Sequence, residues 1–407
     1  MRQKVHRLSD TKFLGTLQGL MQDGAFSKAV KHILSDGVHD SLDPRIQQKL
    51  AVLHPNRPPL STTPPAQPWP WDASPEGCRQ RLHELRTIIL DFPAGSAAGP
   101  SGLRPQHLQD VLRTGSGVAA SLTQSLDGFL HLCLDGRLPT AVAPFLCAAN
   151  VIPLRKPDGG LAVRPVAVGE TLRRLVGKYI AQSPVACRLV QSMMPHQCGI
   201  ATPGACETMA MGLQSWVHAH GGEQDWAILQ VDLRNAFNSI HREPIFEELG
   251  RLAPELIPWV STCYAQHSHL FAQGHRLSSQ CGVQQGDPLG PLLFSLAWQR
   301  IVPKLPASLL VNVWYLDDGH LVGCADALDS ALQIIAAEGS ELGISVNLDK
   351  CKVWGPAASS AELLRQSAML KNIPKSHGCR VLASRCWACQ WSIRRLYLFG
   401  SSNYKPW

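Results

Sequence analysis

The sequence predicts an α/β fold of the α+β kind, an antiparallel sheet flanked by helices. Apolar runs of strand length, AILQVD and VNVWYL, stop on acids far apart in the chain, at Asp232 and at the Asp317-Asp318 pair. Two stretches, CAANVIPLRKPDGGLAVRPVAV and VNVWYLDDGHLVG, set apolar arms around turn residues and read as hairpins, which makes their strands antiparallel. Outside them, CRQRLHELRTIILDF, HLQDVLR and TLRRLVGKYIAQ space apolar residues by three and four, the period of a one-sided helix. At 407 residues the chain is too long for one small core and suits two or three packed subdomains.

Taken in order, residues 1–53 read as a helical lead-in broken at Gly24 and Gly37, with Phe13, Leu17, Leu20 and Met21 at helical spacing. Residues 54–75 are crowded with proline, which fixes extended backbone and removes donors, so they form a linker or a strap lying across a domain. Residues 76–225 carry two helices separated by the turn-rich AGSAAGPSGLRP, then the hairpin closed by Pro157-Asp158-Gly159-Gly160, then the TLRRLVGKYIAQ helix. Residues 226–355 hold the acid-bearing strands. Residues 356–407 are an irregular basic tail: from Ser376 it has five basic residues, no acidic one, and Trp387, Trp391 and Trp407. A stacking nucleic-acid extension is one reading of that composition; a decayed or truncated end is the preferred one.

Lysine and arginine number 38 against 31 acids, a formal charge of +7, which favours polyanions without identifying one. The excess is concentrated between Val151 and Ile180, where Arg155, Lys156, Arg164, Arg173, Arg174 and Lys178 outnumber Asp158 and Glu170. Such a hairpin and helix present either a basic face for phosphates or a plain solvated surface. No apolar run is long enough to span a bilayer and the start lacks a secretory segment, so a soluble intracellular chain without a membrane partner is expected. The 13 cysteines, an odd and scattered set, imply reduced thiols; Cys386-x-x-Cys389 with nearby Cys379 falls short of an ordered zinc site and reads as incidental.

The chemistry gathers at the acids. Strand alternation puts Ile228, Gln230 and Asp232 on one face, although an Asp at a strand end is also an ordinary helix cap. In the second hairpin, alternation sets Val313, Tyr315 and Asp317 on one side and Trp314, Leu316 and Asp318 on the other. Asp-Gly is common turn chemistry, but adjacent acids between apolar arms repel unless cations neutralise them. If folding sets the two strands side by side, three carboxylates meet at one point, the ligand set for a pair of Mg²⁺ ions. A third element, Gln284-Gln285-Gly286-Asp287-Pro288, opens an apolar helix through Trp298. Glycine there admits a ligand against backbone and glutamine can bond a base or sugar edge; a plain helix entry uses Asp-Pro as well.

Strand ending in Asp, Gln-Gly-Asp-Pro helix entry, then Tyr-x-Asp-Asp hairpin is an order that resembles the reverse transcriptase domain of a non-LTR (LINE-type) retrotransposon, over Ala97 to Lys352. That resemblance implies a right-hand polymerase fold, with an N-terminal extension and fingers in 76–225 and a palm in 226–355. It implies an RNA-directed DNA polymerase taking an RNA template, a DNA primer and dNTPs, with two Mg²⁺ ions (Mn²⁺ able to substitute) and nuclear residence. By the same resemblance, Asp232 and Asp317 bridge the metals and Asp318 is the accessory acid. Lys350, in GISVNLDKCKV, stands near the pyrophosphate as a proton donor. Arg164 touches the triphosphate with Arg155 or Lys156 assisting, Gln285 and Gly286 line the nucleotide site, and Gly102 and Arg104 seat the template. Phe237, five positions after Asp232, is similar to the aromatic that blocks a sugar 2′ hydroxyl.

Leu316 stands where alanine is commonest in that family and Asn238 where aspartate is frequent, neither a primary ligand. Too little regular sequence follows Lys352 for a thumb, so the thumb is expected to be truncated or missing. With no endonuclease before the polymerase and no RNase H after it, the chain is expected to be a piece of a longer element. Two other readings stay open: a catalytically silent remnant that keeps nucleic-acid binding, and a group II intron or retron-type enzyme. The sequence leaves the oligomeric state open.

Overall fold

The computed structural model describes residues 11–373 except 23, 25–28, 31–32, 34–36, 157–158, 224 and 356–366. The first two residues of the Pro157-Gly160 turn, the tail from Ser376 and the CxxC cysteines therefore lie outside the described residues.

Helices α1 (Thr11–Gln22), α2 (Pro44–Leu53), α3 (Pro75–Leu90), α4 (Pro105–Arg113), α5 (Gly117–Leu134) and α6 (Ala143–Leu146) precede the first strands, β1 (Ala149–Arg155) and β2 (Val163–Gly169). Then come α7 (Thr171–Ala181), α8 (Pro184–Ser192), α9 (Ala205–Ala219), β3 (Ala227–Val231), β4 (Leu233–Arg234), α10 (Ala236–Ser239), α11 (Arg242–Leu252) and α12 (Ile257–Tyr264). The chain continues through β5 (Ser268–Ala272), β6 (His275–Ser279), α13 (Gly290–Trp298), β7 (Val311–Tyr315), β8 (Asp318–Gly323), α14 (Ala325–Glu341), β9 (Ser345–Val346) and β10 (Lys352–Trp354). Helices α2 and α3 begin as their sequences dictate: Asp43 and Ser74 accept a first-turn N–H, and proline follows each in the first turn.

The strands form two four-stranded sheets and a two-stranded β4-β9 pair. In the first sheet, ordered β2-β1-β5-β6, the expected β1-β2 hairpin is present, antiparallel from Ala149↔Gly169 to Arg155↔Val163. Strand β5 joins β1 in parallel only at Ala149 and Asn150. Farther along, that side of β1 meets only a single antiparallel bridge, Val38 to Leu154, where Pro153 O accepts from His39 N–H (2.9 Å) and the N–H that Pro153 lacks is not needed by a longer ladder. Ala149, Val151, Val163, Ala167, Leu270 and Ala272 are buried against Ile46 and Leu50 of α2. The second sheet, ordered β10-β3-β8-β7, is antiparallel throughout. Its face bearing Leu229, Val231 and Leu321 enters the main core with Trp298 and Trp314, each aliphatic side chain worth roughly 2 kcal/mol of burial. Its other face, with Ile228 and Val322, is covered by Leu213, Trp216 and Val217 of α9.

The proline-rich segment is a strap. Leu60 N–H donates to Ala265 O (3.1 Å), Gln67 N–H to Pro254 O (3.2 Å), and Arg57 N–H to the Gln280 side chain (3.1 Å). Gly250 leaves no room for a Cβ beside Pro64, so strap and α11 lie in contact.

Candidate active site

The acid hairpin is real and tight: Tyr315 pairs with Asp318, leaving Leu316 and Asp317 as its two-residue loop. This corrects the expected sides. Alternation cannot be carried through a turn, so Asp318 shares a face with Tyr315, its cross-strand partner, and not with Trp314. Trp314 instead pairs with Gly319, where a Cβ would run into the indole ring, so the glycine after the acids is required by packing. Leu316 takes φ +57°, a left-handed conformation that costs a leucine about 1–2 kcal/mol.

Strand β3 pairs with β8 from Ala227↔Gly323 to Val231↔Gly319. One further step of that register brings Asp232 level with Asp318 at the edge of the second sheet. The Asp232 backbone is tied to the segment after β9: its carbonyl accepts from Asn347 N–H (2.8 Å) and its N–H donates to Cys351 Sγ (3.4 Å). Burial pushes the Cys351 thiol up to about 11, so it stays neutral beneath the acid. Asn347 Nδ2 donates to Asp232 Oδ1 at 2.7 Å. Burial raises the Asp232 pKa above the usual carboxylate value, and the Asn347 hydrogen bond and the charges of Lys350, Lys156 and Arg234 oppose that rise. The cations expected from the sequence are thus felt at this carboxylate: Lys156 from the β1-β2 hairpin and Lys350 from the turn before β10. Asn347→Ala is expected to move the Asp232 midpoint to still higher pH in a carboxyl-carbon NMR titration; no upward movement would remove Asn347 from this account.

The donors fit Mg²⁺ in kind, being hard carboxylate oxygens with one held in a desolvated place that favours a neighbouring cation. The strands meet as expected. Among the described residues no three His, Cys, Asp or Glu side chains stand close enough together to hold a metal ion. Asp232 is engaged with Asn347 instead.

The Gln284–Pro288 loop rests on a buried network the sequence did not reveal. Arg173, 2% exposed, donates to Asp287 Oδ2 (2.5 Å) and Gln284 Oε1 (2.7 Å), and Tyr264 OH donates to the same Asp287 oxygen (2.7 Å). The guanidiniums of Arg173 and Arg242 lie over the Tyr264 ring, each 5.2 Å from its centroid. Asp287 Oδ1 also accepts from Leu289 N–H (2.9 Å), and α13 starts at Gly290. Gln285 O accepts from Ala167 N–H of β2 (2.7 Å), and Gly286, at φ +126°, would overlap Ala167 O if it had a Cβ. The glycine is therefore demanded by the approach of β2, whatever else it serves.

Phe237, half-buried on α10, stacks on Phe294 of α13 with centroids 4.8 Å apart. Its neighbour Asn238 is buried and donates to Leu53 O at the end of α2 (3.0 Å), a bond an aspartate could not make. Arg155 Nε donates to Val38 O (3.2 Å), so of the Arg155–Lys156 pair it is Lys156 whose charge acts on Asp232. Arg164 lies on the half-exposed face of the first sheet. Gly102 and Arg104 are exposed in a loop whose Ser101 N–H donates to Glu170 (2.7 Å). That loop abuts Gly169, at the far end of β2 from Arg164, roughly 17 Å along a strand, so these two pairs of expected contacts are not brought together.

Residues 154–383, more than half of the chain, match the family model described as "Reverse transcriptase (RNA-dependent DNA polymerase)". The chain is 26% identical over 310 residues to the "Retrovirus-related Pol polyprotein from type-2 retrotransposable element R2DM" of Drosophila melanogaster, covering 70% of this chain and 26% of that protein. It is 26% identical over 323 residues to the "Retrotransposable element SLACS 132 kDa protein" of Trypanosoma brucei gambiense, with the same two shares. The chain thus spans about a quarter of the length of the curated relatives it matches. Among solved structures it is similar to telomerase from Candida albicans in complex with a fragment of telomeric RNA, at TM-score 0.41 and 14% identity over 54% of this chain and 43% of that one. No helix among the described residues is long and apolar enough to cross a membrane.

Proposed function

We propose, from the premise that this chain belongs to the reverse transcriptase (RNA-dependent DNA polymerase) family, that it copies an RNA template by adding dNTPs to a DNA primer at the edge of the second sheet. The observation that carries this is the β3-β8 register, which sets Asp232 level with the acid hairpin while Lys156 and Lys350 act on the same carboxylate. Asp232, Asp317 and Asp318 would hold the metal ions. Bound there, paired Mg²⁺ ions supply the charge that activates a primer 3′ hydroxyl and steadies the departing pyrophosphate. The chain's own part is positioning. Lys156, with Arg164 on the neighbouring sheet, would hold the triphosphate, Lys350 would donate a proton to the leaving group, and the loop at Gln285 and Gly286 would carry the base and sugar. Gly102 and Arg104 would seat the template farther off, and nuclear action belongs to the same reading.

Phe237 supports the preference for deoxynucleotides: a ring pinned by Phe294 five residues after Asp232 is fit to exclude a 2′ hydroxyl. Primer extension on an RNA template with Mg²⁺ tests the proposal. Wild-type chain is expected to incorporate dNTPs, Asp317→Ala to lose at least about a thousandfold, and Phe237→Val to relax discrimination against rNTPs by roughly a hundredfold. One observation favours a second reading, a fold that binds nucleic acid without turnover: among the described residues no three ligating side chains stand ready to hold a metal ion. Template binding without any incorporation, in Mg²⁺ or Mn²⁺, would decide for it.

A further inference from the structure

We propose that Gln197 is a positioning residue for the acid hairpin, its buried amide gripping both backbone groups of Leu316 and so fixing where Asp317 and Asp318 stand. The proposal's consequence for metal binding rests on reading those aspartates as ligands; the clamp itself does not.

A two-residue hairpin loop ordinarily takes glycine, asparagine or aspartate at a positive-φ position, because those residues reach it at little cost. Leucine does not, and yet Leu316 sits at φ +57°. What holds it comes from elsewhere in the chain. Gln197 Oε1 accepts from Leu316 N–H at 2.8 Å, and Gln197 Nε2 donates to Leu316 O at 3.3 Å. The same Oε1 accepts from Gly199 N–H at 3.0 Å, which fixes the amide's orientation, since the flipped amide would set donors against donors.

The segment carrying Gln197 lies alongside β7 like a short parallel strand. Trp314 N–H donates to His196 O (2.7 Å), Cys198 N–H donates to Trp314 O (2.8 Å), and His196 Nδ1 is 2.9 Å from Asn312 O. A Cβ on Gly199 would meet the Leu316 backbone nitrogen and side chain, so the segment is seated directly against the loop. Gln197 is 2% exposed, and water does not compete well for these bonds. The hairpin's shape is therefore imposed by the connection between α8 and α9 and not by its own turn residues. At neutral pH an amide of this length offers the matched acceptor and donor, which a carboxylate does not.

Three variants test this: Gln197→Ala, Gln197→Glu, and Leu112→Ala in the core of α4 as a stability-matched control. Hydrogen exchange at the Leu316 amide reads the clamp without any turnover. Gln197→Ala should lose on the order of a hundredfold in protection there, with the Leu321 amide unchanged, whereas the control should spare the loop. In Gln197→Glu the new carboxylate accepts but cannot donate, so protection should fall at neutral pH and return, after correction for intrinsic rates, as the carboxyl is protonated. Terbium luminescence sensitised by Tyr315 reads the metal site: Gln197→Ala should weaken Tb³⁺ binding about tenfold or more, and in primer extension kcat should fall with the dNTP KM nearly unchanged. Unchanged exchange at Leu316, or equal losses in Gln197→Ala and the control, would overturn the proposal. A wild-type chain that neither extends a primer nor binds Tb³⁺ would sink the reading of the aspartates, while exchange at Leu316 would still decide the clamp.

Discussion

Asp232→Asn is expected to abolish nucleotide addition and, at neutral pH, to make the folded chain more stable. Burial is the main cause that raises this carboxyl above its unfolded value of 3.8, and the Asn347 bond and nearby cations only partly oppose it. A carboxyl raised in the folded state contributes stability that is fully present below its unfolded pKa and is lost as pH rises through the folded pKa. At neutral pH the ionised Asp232 therefore destabilises the fold, and a neutral isostere relieves that. Thermal melts at pH 7.5 should rise on substitution, and the gain should shrink towards pH 4. Primer extension should fall at least about a thousandfold, equivalent to roughly 4 kcal/mol of transition-state stabilisation. A variant that melts lower than wild type at pH 7.5 would contradict the desolvation argument. Opposite movements would show that stability is given up here for chemistry.

The largest structural loss is expected from Arg173→Met. Burial alone would pull the Arg173 pKa down, but Asp287 together with Tyr264, Cys263 and Cys147 more than offsets this and holds the guanidinium charged, well above its ordinary value. Its side chain is 2% exposed and that of Asp287 4%, so removing the arginine leaves a carboxylate in the core with only the Tyr264 hydroxyl and the Leu289 amide for support. Breaking one side of such a pair costs about 3–5 kcal/mol, a large fraction of the stability of a domain. Urea unfolding should show that loss. The double variant Arg173→Met/Asp287→Leu should recover much of it, because no uncompensated charge then remains. If the single variant unfolds within about 1 kcal/mol of wild type, the network is not what holds the Gln284–Pro288 loop.

What the sequence disclosed is what short-range pattern encodes. AILQVD and VNVWYL are strands because apolar, β-branched residues run up to turn chemistry, and β1-β2 is a hairpin because Gly159 and Gly160 take positive φ, +80° and +61°. TLRRLVGKYIAQ is a helix by its period. What stayed hidden depends on partners far along the chain. The phase of Asp318 was lost at a two-residue loop, where strand alternation starts again. Arg173 read as one more surface cation of a basic cluster, whereas its partner Asp287 lies more than a hundred residues away. Asn347 and Gln197 sit in segments without period, and only the folded chain brings them to Asp232 and Leu316. In helices α5, α9 and α14 small and polar residues dilute the apolar stripe, so the helical period does not mark them in the sequence. One clue was available: a leucine between Tyr315 and Asp317, a poor loop residue, implied an outside support.

The strap carries a consequence for how the chain is made. Its partners at Pro254, Ala265 and Gln280 follow it by nearly two hundred residues or more, so it has nothing to dock on when it leaves the ribosome. At ordinary translation speeds that wait is on the order of tens of seconds. During it the strap stays undocked, although α2 can already pack through Ile46 and Leu50 on β1 and β2, which emerge earlier. Prolines suit such a segment: a stretch already stiff and extended loses little further freedom when its seat finally emerges.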